Sequence, residues 1–247
     1  MNQIILATED FQKFVNIVMI FRDICNDVDI RDGKIRQKSN DRLTIFNIDL
    51  STMIPGISIP ISNLKQKIEL LKIFVGNDVT ITDEEKSFTV ADQYSSIKFE
   101  KSDLSYLDNI YIPDEEFSSF SNVSEEEKLI DFVLPKNITD RLKVIANAFN
   151  VAYVRINFNG EYASISTRSQ SKEQFAEIMS GIETEKIISN STNNVITPFT
   201  IDHDTETRLR MYTIQENVCM NVYDTTLNEI PMQIFTRTQL IGLSEEE

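Results

Sequence analysis

The sequence of 247 residues lacks any long apolar run and contains little cysteine. A helix that crosses a bilayer needs about 20 consecutive apolar residues, and no stretch approaches that length. Residues 1–8 also lack the basic segment and the apolar segment of a secretion signal. The two cysteines, Cys25 and Cys219, lie in different halves of the chain, which is typical of free buried thiols in a reducing compartment. We therefore expect a soluble intracellular protein with no membrane partner.

Glycine and histidine are also scarce, with six glycines and one histidine. The sequence contains no glycine-rich phosphate loop and no serine or cysteine in a nucleophile motif. The histidine, His203, stands between Asp202 and Asp204, a triplet that could bind a metal. Because no further His or Cys lies nearby, a helix-start cap with a polar turn is the favoured interpretation. We expect neither enzymatic activity nor a cofactor, and no metal site.

Positive charge is scarce and unevenly distributed. The chain has 24 Lys and Arg against 39 Asp and Glu, a net charge of -15. Four segments with helical apolar spacing, 8–26, 62–74, 136–149 and 204–211, hold ten basic and seven acidic residues, so they carry about +3 and the rest about -18. Such an acidic chain should repel nucleic acid over most of its surface, and a face that gathers these helices would be the exception.

The chain passes twice through the same order of elements. In each half a short strand precedes a long amphipathic helix, a hairpin, further strands and a second, shorter helix. The hairpins are marked by Asp32-Gly33 and Asn159-Gly160, pairs that supply the positive φ of a tight turn. We therefore predict an α+β protein with two similar domains, residues 1–104 and 129–247, joined by an acidic linker at 105–128.

Several local features are less regular. Thr8 and Ser62 stand where N-caps of the two helices of the first half are expected. Residues 171–181 have no counterpart in the first half, and their apolar spacing suggests a short inserted helix, with an irregular loop as the alternative. Strands are predicted at 185–189 and 197–201, before the second helix of that half.

This element order, repeated across an acidic linker, resembles the two-domain sliding DNA clamps of PCNA and of tailed phages. The resemblance is one of pattern over nearly the whole chain, and the local matches are 11–25 followed by 26–38, 59–74, 134–149, and 197–211 leading into 212–223. It implies a homotrimeric ring with sheets outside and helices inside, which encircles duplex DNA and tethers the replicative polymerase. A clamp-loader ATPase is a further implied partner. The compact length and the Ile/Asn-rich composition favour a phage clamp over a cellular one.

The resemblance also implies that basic helix residues line the hole and contact DNA without sequence specificity. For any single residue, a solvated helix face is the alternative interpretation. The candidates are Lys13, Lys65, Lys67, Lys72, Lys136, Arg141, Lys143, Arg208 and Arg210.

Ring closure in this family pairs an edge strand of one domain with an edge strand of the next subunit. Order along the chain places these strands at 94–101 and 185–191, which puts four apolar side chains at the subunit interface: Ile97, Phe99, Ile187 and Ile188.

Partner peptides would dock in an apolar pocket beneath the linker. The alternative is that these apolar residues only pin the linker to the sheet. The predicted pocket consists of Ile110, Tyr111, Ile112, Pro113, Ile230, Pro231, Met232 and Leu240.

For the protein as a whole, the competing function is a non-ring viral structural or adaptor protein, which binds proteins through an acidic surface.

Overall fold

The structure is a computed structural model of the chain. The structure describes residues 2–40, 42–149, 153–158, 163–168, 175–180, 192–195, 198, 201–216 and 218–239. Two compact units are present: residues 1–42, 46–117 and 228–232 form the first, and residues 43–45, 118–227 and 233–247 form the second. The main division, between residues 117 and 118, falls inside the predicted linker. Among the described residues, no helix is both long and apolar enough to cross a membrane.

The described elements are, in chain order, β1 (Asn2–Leu6), α1 (Thr8–Ile24), β2 (Val28–Arg31), β3 (Lys34–Lys38), β4 (Thr44–Asp49), β5 (Ile59–Ile61), α2 (Leu64–Leu71) with a 3-10 turn (Lys72–Phe74), β6 (Val79–Asp83), β7 (Ser87–Ala91), β8 (Ser96–Glu100), α3 (Leu104–Leu107), α4 (Asp114–Ser121), a 3-10 turn (Glu125–Glu127), β9 (Lys128–Leu134), α5 (Lys136–Phe149), β10 (Tyr153–Phe158), β11 (Ala163–Arg168), β12 (Phe175–Ser180), β13 (Thr192–Val195), β14 (Thr207–Gln215), β15 (Val218–Leu227) and β16 (Ile230–Gln239). The predicted α+β class with antiparallel sheets is confirmed.

The strand order repeats between the two halves. The first half contains the orders β1-β6-β7-β8 and β5-β2-β3-β4, and the second half contains β9-β14-β15-β16 and β13-β10-β11-β12. Each strand therefore has a counterpart: β8 corresponds to β16, and β4 corresponds to β12. In the sheet, β16 is also the neighbour of β4, and the first residues of β16 belong to the first unit.

The apolar stripe of α1 forms much of the core of the first unit. Phe11, Phe14, Val18 and Phe21 are each at most 1% exposed, and burial of such side chains stabilises a fold by about 1.5–3 kcal/mol each. In α5 the apolar side of the helix is likewise buried, with Leu142 at 1% exposure. The predicted limits of α5, 136–149, agree with the structure.

Both N-caps in the first half differ from the prediction. Helix α1 begins with Ala7 at the N-cap, and Asp78 Oδ1 accepts hydrogen bonds from the amide and the hydroxyl of Thr8, both at 2.9 Å. In α2 the N-cap is Asn63, in a left-handed conformation, and Asn26 Oδ1 accepts from the Lys65 amide at 2.9 Å. The capping oxygens therefore come from residues that are distant in sequence, which local pattern cannot show.

Two predicted helices of the second half are strands. Residues 207–215 form β14, in which Thr207, Leu209 and Met211 are buried and alternate with more exposed arginines. Residues 175–180 form β12, which pairs with β11 in register from Phe175 opposite Arg168. The strands predicted at 185–189 and 197–201 fall almost entirely outside the described residues.

The hairpin of β2 and β3 is confirmed, including its turn. Asp32 and Gly33 have φ of 50° and 74°, as a two-residue turn of this type requires. A Cβ atom at Gly33 would lie 2.8 Å from the carbonyl oxygen of Ile54 and 2.8 Å from Ser51 Cα. This turn therefore packs too closely against the backbone for any side chain.

Replacement of Gly33 by Ala should lower the free energy of unfolding by about 2–4 kcal/mol, because positive φ and overpacking both oppose the methyl group. Gly76→Ala is the matched control, since Gly76 also has positive φ, 100°, but has no atom within 4 Å of the added Cβ. Urea unfolding of both variants measures the difference. Equal losses would contradict the crowding at Gly33.

Candidate nucleic-acid interface

Cationic side chains concentrate on three helical segments. With residues 207–215 in a strand, these segments are α1, α2 with its 3-10 turn, and α5. They hold eight basic and five acidic residues, so the net charge of about +3 expected from the sequence is unchanged. The sum does not change because residues 204–211, which were predicted to be helical, contain two basic and two acidic residues.

Helix α2 and its 3-10 turn carry three lysines in different environments. Lys65 is exposed and has no carboxylate within 4 Å among the described residues. Lys67 is half-buried, and desolvation lowers the pKa of its ammonium against the opposing attraction of Asp27. Lys72 pairs with Glu69 at 2.7 Å. Lys65 is therefore the cation of this helix most available to an anion from outside.

Helix α5 presents a second group of cations. Lys136 pairs with Asp140 at 3.0 Å, and its ammonium also donates to the His203 carbonyl at 3.1 Å. Lys143 forms an ion pair with Asp202. Arg141 is exposed and lacks a carboxylate partner within the described part of the chain. Lys136 and Lys143, seven residues apart, lie on one side of the helix, and Arg141 lies on another.

Lys13 of α1 is paired with two carboxylates. Its ammonium lies 2.7 Å from Glu229 and 3.6 Å from Glu9, and its side chain is 19% exposed. The hydrogen bond to Glu229, in the turn before β16, raises the pKa of Lys13. The side chain of Lys13 is therefore less exposed than those of Lys72, Lys136 and Lys143, which also have carboxylate neighbours.

Arg208 and Arg210 do not lie on a helix. Arg208 forms two hydrogen bonds of 2.7 Å to Asp131 on the neighbouring β9, and these hydrogen bonds hold the pKa of Asp131 at about 2. Arg210 pairs with Asp224 on β15 at 2.6 Å. Both arginines therefore connect adjacent strands of one sheet, and the helical argument for grouping them with the lysines fails. In the sequence, the two arginines alternate with Thr207, Leu209 and Met211, and this period of two was the signal that indicates a strand.

His203 fixes the start of α5 instead of capping a helix. Its Nε2 lies 2.6 Å from Thr139 Oγ1, and its Nδ1 lies 3.3 Å from the Ile201 carbonyl oxygen. The Thr139 hydroxyl is also within 2.8 Å of the Lys136 carbonyl. Burial lowers the pKa of this imidazole, with smaller effects from nearby charges. Over the described ranges, no three potential metal ligands cluster, here or elsewhere.

The linker segment 107–117 is bonded to the β2–β3 hairpin by charge and by backbone. Backbone hydrogen bonds join the Lys38 amide to the Ile110 carbonyl and the Ile112 amide to the Arg36 carbonyl, at 2.7 and 2.9 Å. Arg36 pairs with Asp114. The guanidinium of Arg31 stacks 3.8 Å from the centre of the Tyr111 ring.

Further ion pairs join residues 107–117 to the hairpin. Arg31 bridges the buried Asp29 and the linker residue Asp108, at 2.7 and 2.8 Å, and Lys38 pairs with Glu116 at 2.7 Å. Residues 107–117, called the strap below, are thus joined to β2 and β3 by two backbone hydrogen bonds and by ion pairs at three positions.

The predicted pocket residues differ in exposure. Ile112 and Met232 are buried, and Ile230 is 9% exposed. Pro113 and Pro231 are exposed, whereas Ile110 and Tyr111 are half-buried, and Leu240 lies outside the described residues. Ile112 therefore anchors the linker by burial and by its backbone hydrogen bond to Arg36, and Pro113 and Pro231 are the exposed members among the described residues. Peptide docking at this cluster stays a prediction.

The predicted interface strand at 94–101 contains β8, an edge strand of its sheet. Phe99 is 5% exposed and stacks on Phe88 with ring centres 4.9 Å apart, so it serves the core of its own unit. Ile97 is half-buried. Ile187 and Ile188 lie outside the described residues, and the described edge strands of the second half are β9, β12 and β13.

The structure matches solved sliding-clamp structures over nearly its full length. PCNA from Entamoeba histolytica matches with a TM-score of 0.65 and 10% identity, covering 96% of this chain and 98% of that chain. The PCNA2–PCNA3 complex from Sulfolobus tokodaii matches at 0.61 and 13%, covering 96% and 99%. A. fulgidus PCNA, bound to the C-terminal region of FEN-1, matches at 0.57 and 11%, covering 98% and 100%.

No family model and no curated protein matches this sequence. The chain nevertheless has the PCNA-like sliding-clamp fold, and the resemblance inferred from the order of its elements is confirmed.

The free energy of unfolding should fall as the pH is lowered from about 7.5 to 5.5, because the pKa of folded His203 lies below the unfolded value of about 6.5 and the unfolded chain binds the proton more readily. His203→Gln should flatten this part of the profile. Since the chain has one histidine, subtracting the urea-unfolding profiles of the two proteins isolates its contribution. Parallel profiles would show that the buried imidazole does not titrate as its environment implies.

Proposed function

We propose that this protein is a sliding clamp that closes as a homotrimeric ring around duplex DNA and tethers a replicative DNA polymerase. The observation that supports it most strongly is the match of the whole fold to PCNA structures at 96–98% coverage of the chain. The excess of cations on three helical segments of an otherwise acidic chain gives the ring a surface for DNA. No catalytic step is required, since a closed ring holds DNA by its topology.

DNA contact in such a ring has to be weak. Each neutralised phosphate adds affinity and therefore opposes sliding. Lys72, Lys136 and Lys143 keep a carboxylate neighbour, and exposed pairs of this kind contribute only about 0–1 kcal/mol each. A passing phosphate can thus replace the carboxylate at little cost. We assign the DNA contacts to these three lysines and Lys65, with Lys67 at the margin.

The internal repeat supports a specific way in which the ring could close. Within the chain, β4 and β16 are hydrogen-bonded neighbours. Their counterparts in the other half, β12 and β8, both lie at the edge of a sheet among the described strands, where backbone groups can pair with a strand of another chain. We propose that β8 of one copy pairs with β12 of the next, which would repeat the β4–β16 arrangement at each subunit boundary. The half-buried Ile97 would join this interface, whereas Phe99 remains in its own core.

Partner peptides of the polymerase and the clamp-loader ATPase are proposed to dock at the linker. Because the strap is bonded to β3, they would bind against the exposed Pro113 and Pro231 and leave the linker in place. The A. fulgidus PCNA structure contains the C-terminal region of FEN-1, which supports peptide docking as a role of this fold. The compact length and the Ile/Asn-rich composition support a phage source, with action in the host cytoplasm or nucleoid.

Charge reversal on the helices should abolish processive stimulation of the cognate polymerase on primed circular DNA, because the ring would then repel the duplex that it encloses. Sedimentation should still show the trimer, since none of the four residues lies on β8 or β12. The substitutions are Lys65→Glu, Lys72→Glu, Lys136→Glu and Lys143→Glu in one chain.

The control carries the same change in charge at four basic residues outside the helices. Its stimulation should remain close to that of the unaltered protein at the same ionic strength. Equal losses in the two variants would mean that net charge, not the helical lysines, governs DNA contact. The control substitutions are Lys34→Glu, Arg42→Glu, Lys86→Glu and Arg237→Glu.

Retention on DNA separates a ring from an adaptor. The protein is allowed to thread onto linear duplex that is tethered at one end, and the free end is then blocked with streptavidin or left open. A ring should stay on blocked DNA through a high-salt wash and leave open DNA within the same time. Equal retention on both would contradict a topological link and favour the adaptor.

A further inference from the structure

One surface contact within the first unit corresponds, through the repeat, to a turn and a helix position that are both exposed. The turn before β16, Asn228 and Glu229, lies against the polar side of α1, and residues 228–232 belong to the same unit as that helix. Glu229 accepts from Lys13 at 2.7 Å, and Asn228 Oδ1 accepts from Asn16 Nδ2 at 3.3 Å. The tip of a hairpin therefore covers positions 13 and 16 of a long helix.

The repeat identifies the corresponding helix positions. Leu6 and Leu134 are the last residues of β1 and β9, both are buried, and each is followed by one residue before the helix begins. This alignment places Arg141 at the position of Lys13 and Val144 at that of Asn16. It is consistent with burial, because the positions of Phe11, Phe14 and Val18 are then occupied by Thr139, Leu142 and Ala146, all of which are buried.

The repeat also identifies the corresponding turn. Since β7 and β8 correspond to β15 and β16, the turn at 92–95 corresponds to the turn at 228–229. Its tip carries Tyr94, which is 79% exposed. Val144 is 68% exposed, the largest exposure among the large apolar side chains of the described helices. The chain thus presents an exposed apolar tip and an exposed apolar helix position, which are the counterparts of the turn and of the helix position that meet in the first unit.

We propose that Tyr94 of one copy packs on α5 of a second copy, against Val144 and Arg141, in the way that the Asn228-Glu229 turn packs on α1. This inference rests on the proposed ring, in which a β8–β12 pairing brings the β7–β8 hairpin of one copy to the second half of the next. The occupant of the exposed face of α5 is therefore another molecule of this chain. Arg141 contacts this tip, as Lys13 contacts Glu229, and is not one of the DNA-binding cations.

The β7–β8 turn is preformed for this role. Asp92 Oδ1 accepts hydrogen bonds from the amides of Tyr94 and Ser95, at 2.9 and 2.7 Å, and Asp92 Oδ2 accepts from Asn77 Nδ2 at 2.8 Å. These bonds fix the turn on the side chain of its first residue. The aromatic ring is consequently held outward before any partner arrives, which reduces the entropy lost on association.

The chemistry of the two contacts differs in a way that suits their settings. Within the chain the contact between Lys13 and Glu229 is polar. Because both residues belong to one molecule, this contact does not have to stabilise the association of two copies. Between copies it would be a tyrosine on a valine and an arginine, a combination that buries apolar area and permits a cation–π contact. Tyrosine and arginine are the residue types that most often dominate binding energy at protein interfaces.

Cross-linking tests the contact directly. In the Tyr94→Cys, Val144→Cys double variant, a short bismaleimide should join copies into covalent dimers and trimers on a denaturing gel. Each single variant should give neither, because Cys25 and Cys219 are buried. The matched control, Tyr106→Cys with Val144→Cys, places its first thiol at another exposed tyrosine, 61% exposed, and should stay monomeric on the gel.

The outcomes separate this contact from the ring itself. A trimer in sedimentation without cross-linking of the 94–144 pair would overturn the inference and leave the ring intact. Cross-linking of both pairs would show indiscriminate collision and would also overturn it. A chain that stays monomeric without cross-links would overturn the contact and the ring together.

Association affinity provides the second measurement. Tyr94→Ala should weaken trimer formation by about tenfold or more, as loss of an aromatic interface anchor does, whereas Tyr94→Phe should preserve it. Because Tyr94 is exposed within one copy, neither variant should change the urea-unfolding midpoint at concentrations where the chain is monomeric. Equal association of the Ala variant and the unaltered protein would refute the assignment.

Discussion

Burial of the apolar stripes of α1 and α5 is the constraint on which the other features depend. Phe11, Phe14 and Val18 fix the rotation of α1, and Leu142 with Ala146 fixes that of α5. Once the rotation is set, the outward positions are set too, because neighbours on one side of a helix recur every three or four residues. The placement of the α5 lysines, of Arg141 and of Val144 therefore follows from hydrophobic packing, with electrostatics acting on side chains already positioned.

Much of the architecture could be predicted because its signals are local. The spacing of Ile138 and Leu142 gave α5 its limits, and the Asp32-Gly33 pair gave the first hairpin its turn. What the sequence concealed depends on distant partners: Asp78 caps α1 from 70 positions away, and β12 gains its strand character from pairing with β11. The segment 204–211 was wrongly predicted to be a helix, whereas the alternate burial of Thr207, Leu209 and Met211 places residues 207–211 on a strand.

The electrostatic part of the site could be predicted only in sum. The composition correctly concentrates net positive charge on the helices, yet it does not show that Lys13, Lys72, Lys136 and Lys143 each have a carboxylate neighbour. Such pairing depends on side-chain geometry and, for Lys13 and Lys143, on residues far along the chain. Which of these lysines meets DNA stays a prediction, as does the identity of the partners.

The strap, residues 107–117, limits where the length of the chain can change. Leu107 and Ile112 are fully buried and the intervening backbone is hydrogen-bonded to β3, so the spacing between these anchors is as constrained as that of a strand. Insertions or deletions there would unseat one anchor or the other. Changes in the length of the linker are therefore tolerated mainly beyond Phe117. A protease that requires extended, accessible chain would cleave there and not in the strap.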